Sequence, residues 1–82
     1  MMRVLNLYTT LGCHLCDEAA AIINELINQQ EIINLRLVAV EISDSDTLME
    51  KYAVRIPVLK FQEEIKELAW PCTDEELSVF LL

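Results

Sequence analysis

Apolar and polar positions change period several times along the chain, and each change marks an element. Arg3 to Tyr8 (RVLNLY) alternates, as a half-buried strand does. Thr9 to Gly12 breaks the alternation and contains the only glycine. From Cys13 or His14 to about Gln30, Leu15, Ala19, Ile22, Ile23, Leu26 and Ile27 recur at helical spacing. Leu35 to Ile42 (LRLVAVEI) is the most β-branched stretch and predicts a second strand. Ser43-Asp44-Ser45-Asp46 is a helix-start signal, with a short helix over Thr47 to Tyr52. Pro57 to Phe61 predicts a third strand, Gln62 to Glu64 a polar turn, and Ile65 to Ala69 a fourth strand paired with the third as a hairpin. Thr73-Asp74-Glu75-Glu76 has the form of a capping box, opening a last helix over Leu77 to Leu82.

The order β-α-β-α-β-β-α sets the topology. The first two strands are joined through a helix, so they are expected parallel with a right-handed crossover. The last two are expected antiparallel. The prediction is an α/β fold: a four-stranded mixed sheet with helices on both faces, in a single domain spanning residues 1–82. No internal repeat, linker or low-complexity segment interrupts it.

The chemistry concentrates at the first strand-to-helix junction. Cys13-His14-Leu15-Cys16 puts two thiols three residues apart at a helix start. Cys13 is expected to be exposed at the helix N-terminus and Cys16 shielded one turn in. Backbone N–H groups and the helix dipole favour a thiolate there. A thiolate with a second thiol in reach can attack a disulfide and then be released by its neighbour. Two alternatives stand beside redox chemistry. One is a structural pair. The other is half of a metal site, for which only Cys72 and His14 remain as further ligands.

Composition narrows the setting. The 82 residues are 54% hydrophobic, enough for one core and against disorder. Fourteen acidic and six basic residues give a net charge of −8 without any Lys/Arg cluster, so neither nucleic acid nor an anionic membrane is an expected partner. No apolar run reaches the roughly 18–20 residues that span a bilayer. Met1 to Thr10 lacks the basic region, apolar core and small-residue cleavage site of a secretory signal. Two clustered cysteines and a solitary Cys72 do not make a disulfide framework. A reducing, cytoplasmic location and a monomer are expected.

Tyr8-Thr9-Thr10-Leu11-Gly12-Cys13-His14-Leu15-Cys16 resembles the strand-loop-helix junction of glutaredoxins, the short branch of the thioredoxin superfamily. Val54-Arg55-Ile56-Pro57-Val58-Leu59 resembles the segment that holds that fold's cis-proline. The Cys13 to Pro57 spacing suits the family, and the likeness covers essentially the whole chain. A closer likeness is to small bacterial glutaredoxin-like proteins with a C-x-L-C motif and a tryptophan near the end of strand four.

The resemblance implies a thiol–disulfide oxidoreductase needing no cofactor beyond the Cys13–Cys16 pair, with glutathione as a candidate ligand. Cys13 would be the nucleophile and Cys16 the resolving thiol. Partners would be a disulfide-containing protein or a glutathionylated substrate, and an external electron donor. A cis Ile56–Pro57 bond would turn the Ile56 backbone toward an extended substrate. Arg55 is the one basic residue expected near the site, and Trp70 is either packing or an aromatic wall for substrate.

His14 either tunes the Cys13 thiol or simply faces solvent. Cys72 is either a small buried hydrophobe or a third thiol near the site. Where glutaredoxins carry a Gly-Gly-x-Asp segment, this chain has Ala69-Trp70-Pro71-Cys72. Thr10 and Leu11 stand where a Lys or Arg is common. Glutathione dependence is therefore expected to be weak. Asp17 and Glu18 oppose a thiolate, which places the pair toward the reducing end. The alternative functions are a metal or iron–sulfur carrier, since some glutaredoxins bridge a [2Fe–2S] cluster through cysteine, and a non-catalytic binding module.

Overall fold

A computed structural model describes residues 2–81. Met1 and Leu82, which the predicted domain and last helix include, lie outside the described residues. Strand β1 (Arg3–Thr9) leads into helix α1 (His14–Gln29). Then follow β2 (Leu35–Glu41), a 3₁₀ turn (Ile42–Asp44), α2 (Asp46–Tyr52), β3 (Val58–Phe61), β4 (Glu67–Ala69) and α3 (Asp74–Leu81). The sheet order is β2-β1-β3-β4, with β1 parallel to β2 and antiparallel to β3, and β3 antiparallel to β4. The expected mixed four-stranded sheet is present.

Strand alternation sends side chains to two buried clusters on opposite faces. On one face Leu5, Leu7, Leu35, Leu59 and Phe61 pack under Ala19 and Ile23 of α1 and Leu77 and Leu81 of α3. On the other, Tyr8 and Val58 meet Ile42 and Tyr52, with Leu48 of α2 packed alongside. Helices therefore cover both faces, as predicted. The Arg3 guanidinium lies 4.1 Å from the Phe61 ring centroid and donates to the Leu81 carbonyl at 3.3 Å, a cation at the C-terminal end of α3.

Caps set most element ends. Cys13 is the N-cap of α1, and its Sγ accepts the Cys16 N–H at 3.2 Å. The Ser45 hydroxyl accepts the Leu48 N–H at 3.3 Å, so α2 starts at Asp46, one residue before the predicted start. Thr73 and Glu76 form the predicted capping box, each side chain accepting the other's N–H at 3.0 and 2.9 Å. Strand β4 is shorter than predicted. Ile65 is 95% exposed and unladdered, because β3 ends at Phe61 and its last paired residue, Lys60, faces Glu67.

A polar lock fastens the α2 face. The Tyr8 and Tyr52 rings stack at 4.3 Å. The Tyr52 hydroxyl donates to Glu67 Oε2 at 2.5 Å, and Arg55 Nη2 meets Glu67 Oε1 at 2.7 Å. Burial and the Glu67 carboxylate push the Tyr52 phenol well above its usual range, so it stays a donor at all ordinary pH. The same phenol and then Arg55 hold the Glu67 carboxyl below the usual carboxylate range.

Two outcomes follow for stability. A depressed folded pKa contributes stability that is present above the ordinary carboxylate pKa and lost as pH falls through the folded value. Glu67→Gln is expected to lower unfolding stability by about 1 kcal/mol at pH 7. The gap between wild type and variant should begin to shrink as pH falls past the ordinary carboxylate pKa and close only below the depressed folded value. Urea melts across that range check this, and a constant gap would deny the carboxylate's charge any role. Gly12 has φ +82°, and a Cβ added there meets nothing within 4 Å. Gly12→Ala should therefore cost about 1 kcal/mol from backbone conformation alone. An unchanged urea midpoint would contradict that.

Candidate active site

The sheet register gathers the site at one end. Thr9 pairs with Glu41 of β2. Tyr8 pairs with Val58, so Thr9 stands opposite Pro57. Val58 pairs with Ala69, so Pro57 stands opposite Trp70, and the Trp70 N–H donates to the Pro57 carbonyl at 3.2 Å. Glu41, Thr9, Pro57 and Trp70 thus form one row across the strand ends. The chain leaves β1 through the turn Thr10–Cys13, closed by the Cys13 N–H on the Thr10 carbonyl at 3.3 Å. Gly12 supplies the positive φ that a type II turn needs at its third position.

That turn delivers Cys13 to the start of α1. Cys13 and Cys16 are joined as a disulfide, with Cα atoms 5.2 Å apart. Cys13 is half-buried, while Cys16 is 2% exposed and packed one turn in. The Sγ of Cys13 accepts a backbone N–H at a helix N-terminus, an environment that favours a thiolate over a thiol when the pair is reduced. A close cysteine pair in this setting fits redox activity.

The other predicted residues divide. Pro57 is buried, and the Ile56–Pro57 peptide is cis, as the resemblance implies; Trp70–Pro71 is cis as well, which the sequence reading did not anticipate. Ile56 is half-buried against the α2-face cluster, and its N–H donates to the Tyr52 carbonyl at 3.1 Å. One of the two polar groups of the Ile56 backbone, its N–H, is thus already bonded within the chain. Arg55 is held by Glu67 and lies over the Tyr52 ring at 5.4 Å, on the face away from α1. Trp70 and Cys72 are half-buried against the cluster under α1 and α3. Cys72 is a free thiol, and burial, then Glu76 and Asp74, push its pKa up, the opposite of activation. His14 is exposed at the first residue of α1. Cys13, Cys16, Pro57 and Trp70 therefore share one end of the sheet, and Arg55 is turned from it.

Two further features escaped the sequence reading. Apolar side chains stand exposed beside the cysteines, Leu11 at 92% and Leu15 at 53%, and in the segment leading to Pro57, Val54 at 98%. Leu11 and Leu15 directly flank the cysteines, a signal the sequence offered. The other feature is Glu41. Its carboxylate accepts the Leu11 N–H and the Ser43 N–H, each at 3.0 Å. Nothing in the sequence distinguishes it from any other acidic strand end. Among the described residues no group of three or more His, Cys, Asp and Glu is placed to hold a metal ion, and no helix is long and apolar enough to cross a membrane.

Comparison with known proteins agrees with this geometry. The X-ray structure of structural-genomics target protein XcR50 from X. campestris is 34% identical, with 94% of this chain and 93% of that one covered and a TM-score of 0.71. The solution NMR structure of protein Ne2328 from Nitrosomonas europaea is 28% identical, covering 98% and 92%, with a TM-score of 0.79. No curated protein matches the chain. The model of the Glutaredoxin-like domain (DUF836) family matches residues 4–82, and the chain is a member of that family.

Proposed function

We propose that the chain is a thiol–disulfide oxidoreductase acting on protein disulfides, with Cys13 as nucleophile and Cys16 as resolving thiol. The observation that carries this reading is the asymmetry of the pair. The half-buried Cys13 Sγ sits at the α1 N-terminus on a backbone N–H, and Cys16 is buried behind it.

In the reduced protein the Cys13 thiolate attacks one sulfur of the target disulfide. A Cys13–target bond forms, and the other target sulfur leaves as a thiolate and takes a proton. Cys16 then loses its proton and attacks Cys13 Sγ. The second target sulfur leaves and is protonated, and the Cys13–Cys16 disulfide closes. The target gains two electrons and two protons, and the pair loses them. An external thiol reductant restores the dithiol by the same exchange in reverse.

A protein disulfide is favoured as substrate because of what surrounds Cys13. Leu11, Leu15 and Val54 offer apolar surface for docking. The features that would hold glutathione are weak. Arg55 is committed to Glu67, the Ile56 N–H to Tyr52, and Ala69-Trp70-Pro71-Cys72 stands where glutaredoxins carry a glycine-rich segment. Glutathione is anionic, and the chain's net charge of −8 opposes its approach.

Cys16→Ser is expected to accumulate mixed disulfides with protein targets through Cys13, and Cys13→Ser to accumulate none. Non-reducing gels with mass spectrometry of the trapped species decide this; equal capture by both variants would remove the division of roles. Reduction of a glutathionylated peptide should run at least about tenfold below a glutaredoxin with an intact glutathione site, the equivalent of one lost charge-assisted hydrogen bond. Comparable turnover would show that Trp70, Pro71 and Cys72 build an equivalent site.

A further inference from the structure

The turn that presents Cys13 has little packing to hold it. Leu11 is 92% exposed, and space is open around Gly12. Hydrogen bonds fix it instead. One is the turn's own bond, from the Cys13 N–H to the Thr10 carbonyl at 3.3 Å. Another comes from 30 residues away, where Glu41 Oε1 accepts the Leu11 N–H at 3.0 Å. The other oxygen of the same carboxylate accepts the Ser43 N–H at 3.0 Å. Glu41 ends β2 opposite Thr9, so its bonds tie the turn to the sheet. The Ser43 N–H foremost, with the Leu11 N–H adding least, holds the carboxyl below its usual range, so it is charged at neutral pH.

We propose that Glu41 is the positioning residue for Cys13: by fastening Leu11 to the end of β2, its carboxylate keeps the thiol at the N-cap of α1. This rests on the dithiol reading above. The carboxylate acts in two opposed ways. As a tether it keeps Cys13 Sγ on the Cys16 N–H, which favours the thiolate. As a nearby negative charge it disfavours the thiolate. The Ser43 bond is local and caps the 3₁₀ turn. The Leu11 bond is the one that reaches the site.

Glu41→Gln and Glu41→Ala separate the two effects. Gln loses the charge and keeps one acceptor; Ala loses both. Thermal melts verify that each variant folds, as a half-buried side chain at a strand end allows. The readouts are hydrogen exchange at the Leu11 amide and the rate at which iodoacetamide alkylates Cys13 in the reduced protein at fixed pH below the thiol pKa, where rate follows thiolate fraction. In Glu41→Ala, Leu11 exchange should rise about tenfold. Cys13 should alkylate at least about threefold more slowly in Glu41→Ala than in Glu41→Gln, with Glu41→Gln at or above wild type and its Leu11 exchange near wild type, since both variants lack the charge and Gln retains an acceptor for the Leu11 N–H.

Equal alkylation rates in the two variants overturn the proposal, whether or not Leu11 exchange rises, because the loop then moves without moving the thiol. Unchanged Leu11 exchange in Glu41→Ala overturns it as well. Neither readout needs turnover. Absence of protein-disulfide reduction by the wild type would remove the oxidoreductase reading, while the order of the alkylation rates would still judge Glu41.

Discussion

Strand β1 carries a hydrogen-bonded ladder on each side, and the site depends on the register of both. The parallel ladder with β2 brings Glu41 to Thr9, and the antiparallel ladder with β3 brings Pro57 to the same residue. The alternation of β1 also divides the core, with Leu5 and Leu7 facing α1 and α3 and Tyr8 facing α2. A slip of one residue against either neighbour would send each of these to the wrong face. Burial on both faces therefore fixes the register, and the register fixes which loops meet at the strand ends.

At Cys13 the electrostatic terms are small and opposed. An exposed helix N-terminus favours an anion by about 0.3–1 kcal/mol. Neighbouring carboxylates disfavour it, by no more than about 1 kcal/mol each when water lies between. Asp17 lies in the first turn of α1, Glu18 follows it, and Glu41 braces the turn before it. With the long-range terms opposed in sign, the short-range contact, the Cys16 N–H on Cys13 Sγ, gains weight in the balance. That contact is sensitive to where the turn holds the thiol. On the proposed reading, a chain rich in acid depends on geometry more than on field to activate Cys13.

Element order, both helix-start signals and the cysteine junction were legible because they are local. Periodicity needs only a few residues, and a cap needs four. The capping box at Thr73 and Glu76 formed as its spacing implies. What stayed hidden is long-range. Ile65 has strand character but lies beyond the end of the ladder, and only the partner's length shows that. Arg55 looked available because the sequence does not reveal that Glu67 and Tyr52 sit beneath it. Both tyrosines of the chain stand at the ends of elements flanking the site, yet their stacking needs the fold to be seen. Glu41 was illegible for the same reason, since its bond to Leu11 spans 30 residues.

The polar commitments on the α2 face bear on recognition. Glu67 takes Arg55 and Tyr52, and Tyr52 in turn takes the Ile56 N–H through its carbonyl, so the segment before Pro57 is braced from behind. Bracing uses the donors that would otherwise grip a small anionic ligand. On the proposed reading, a partner must then bind through the apolar side chains near Cys13. Burying about 200 Å² there would contribute about 5 kcal/mol gross. Ordering and association costs of similar size would leave a weak complex. Weak docking suits an exchange catalyst. The covalent mixed disulfide holds the partner during reaction, and once Cys16 breaks that bond little else delays its departure.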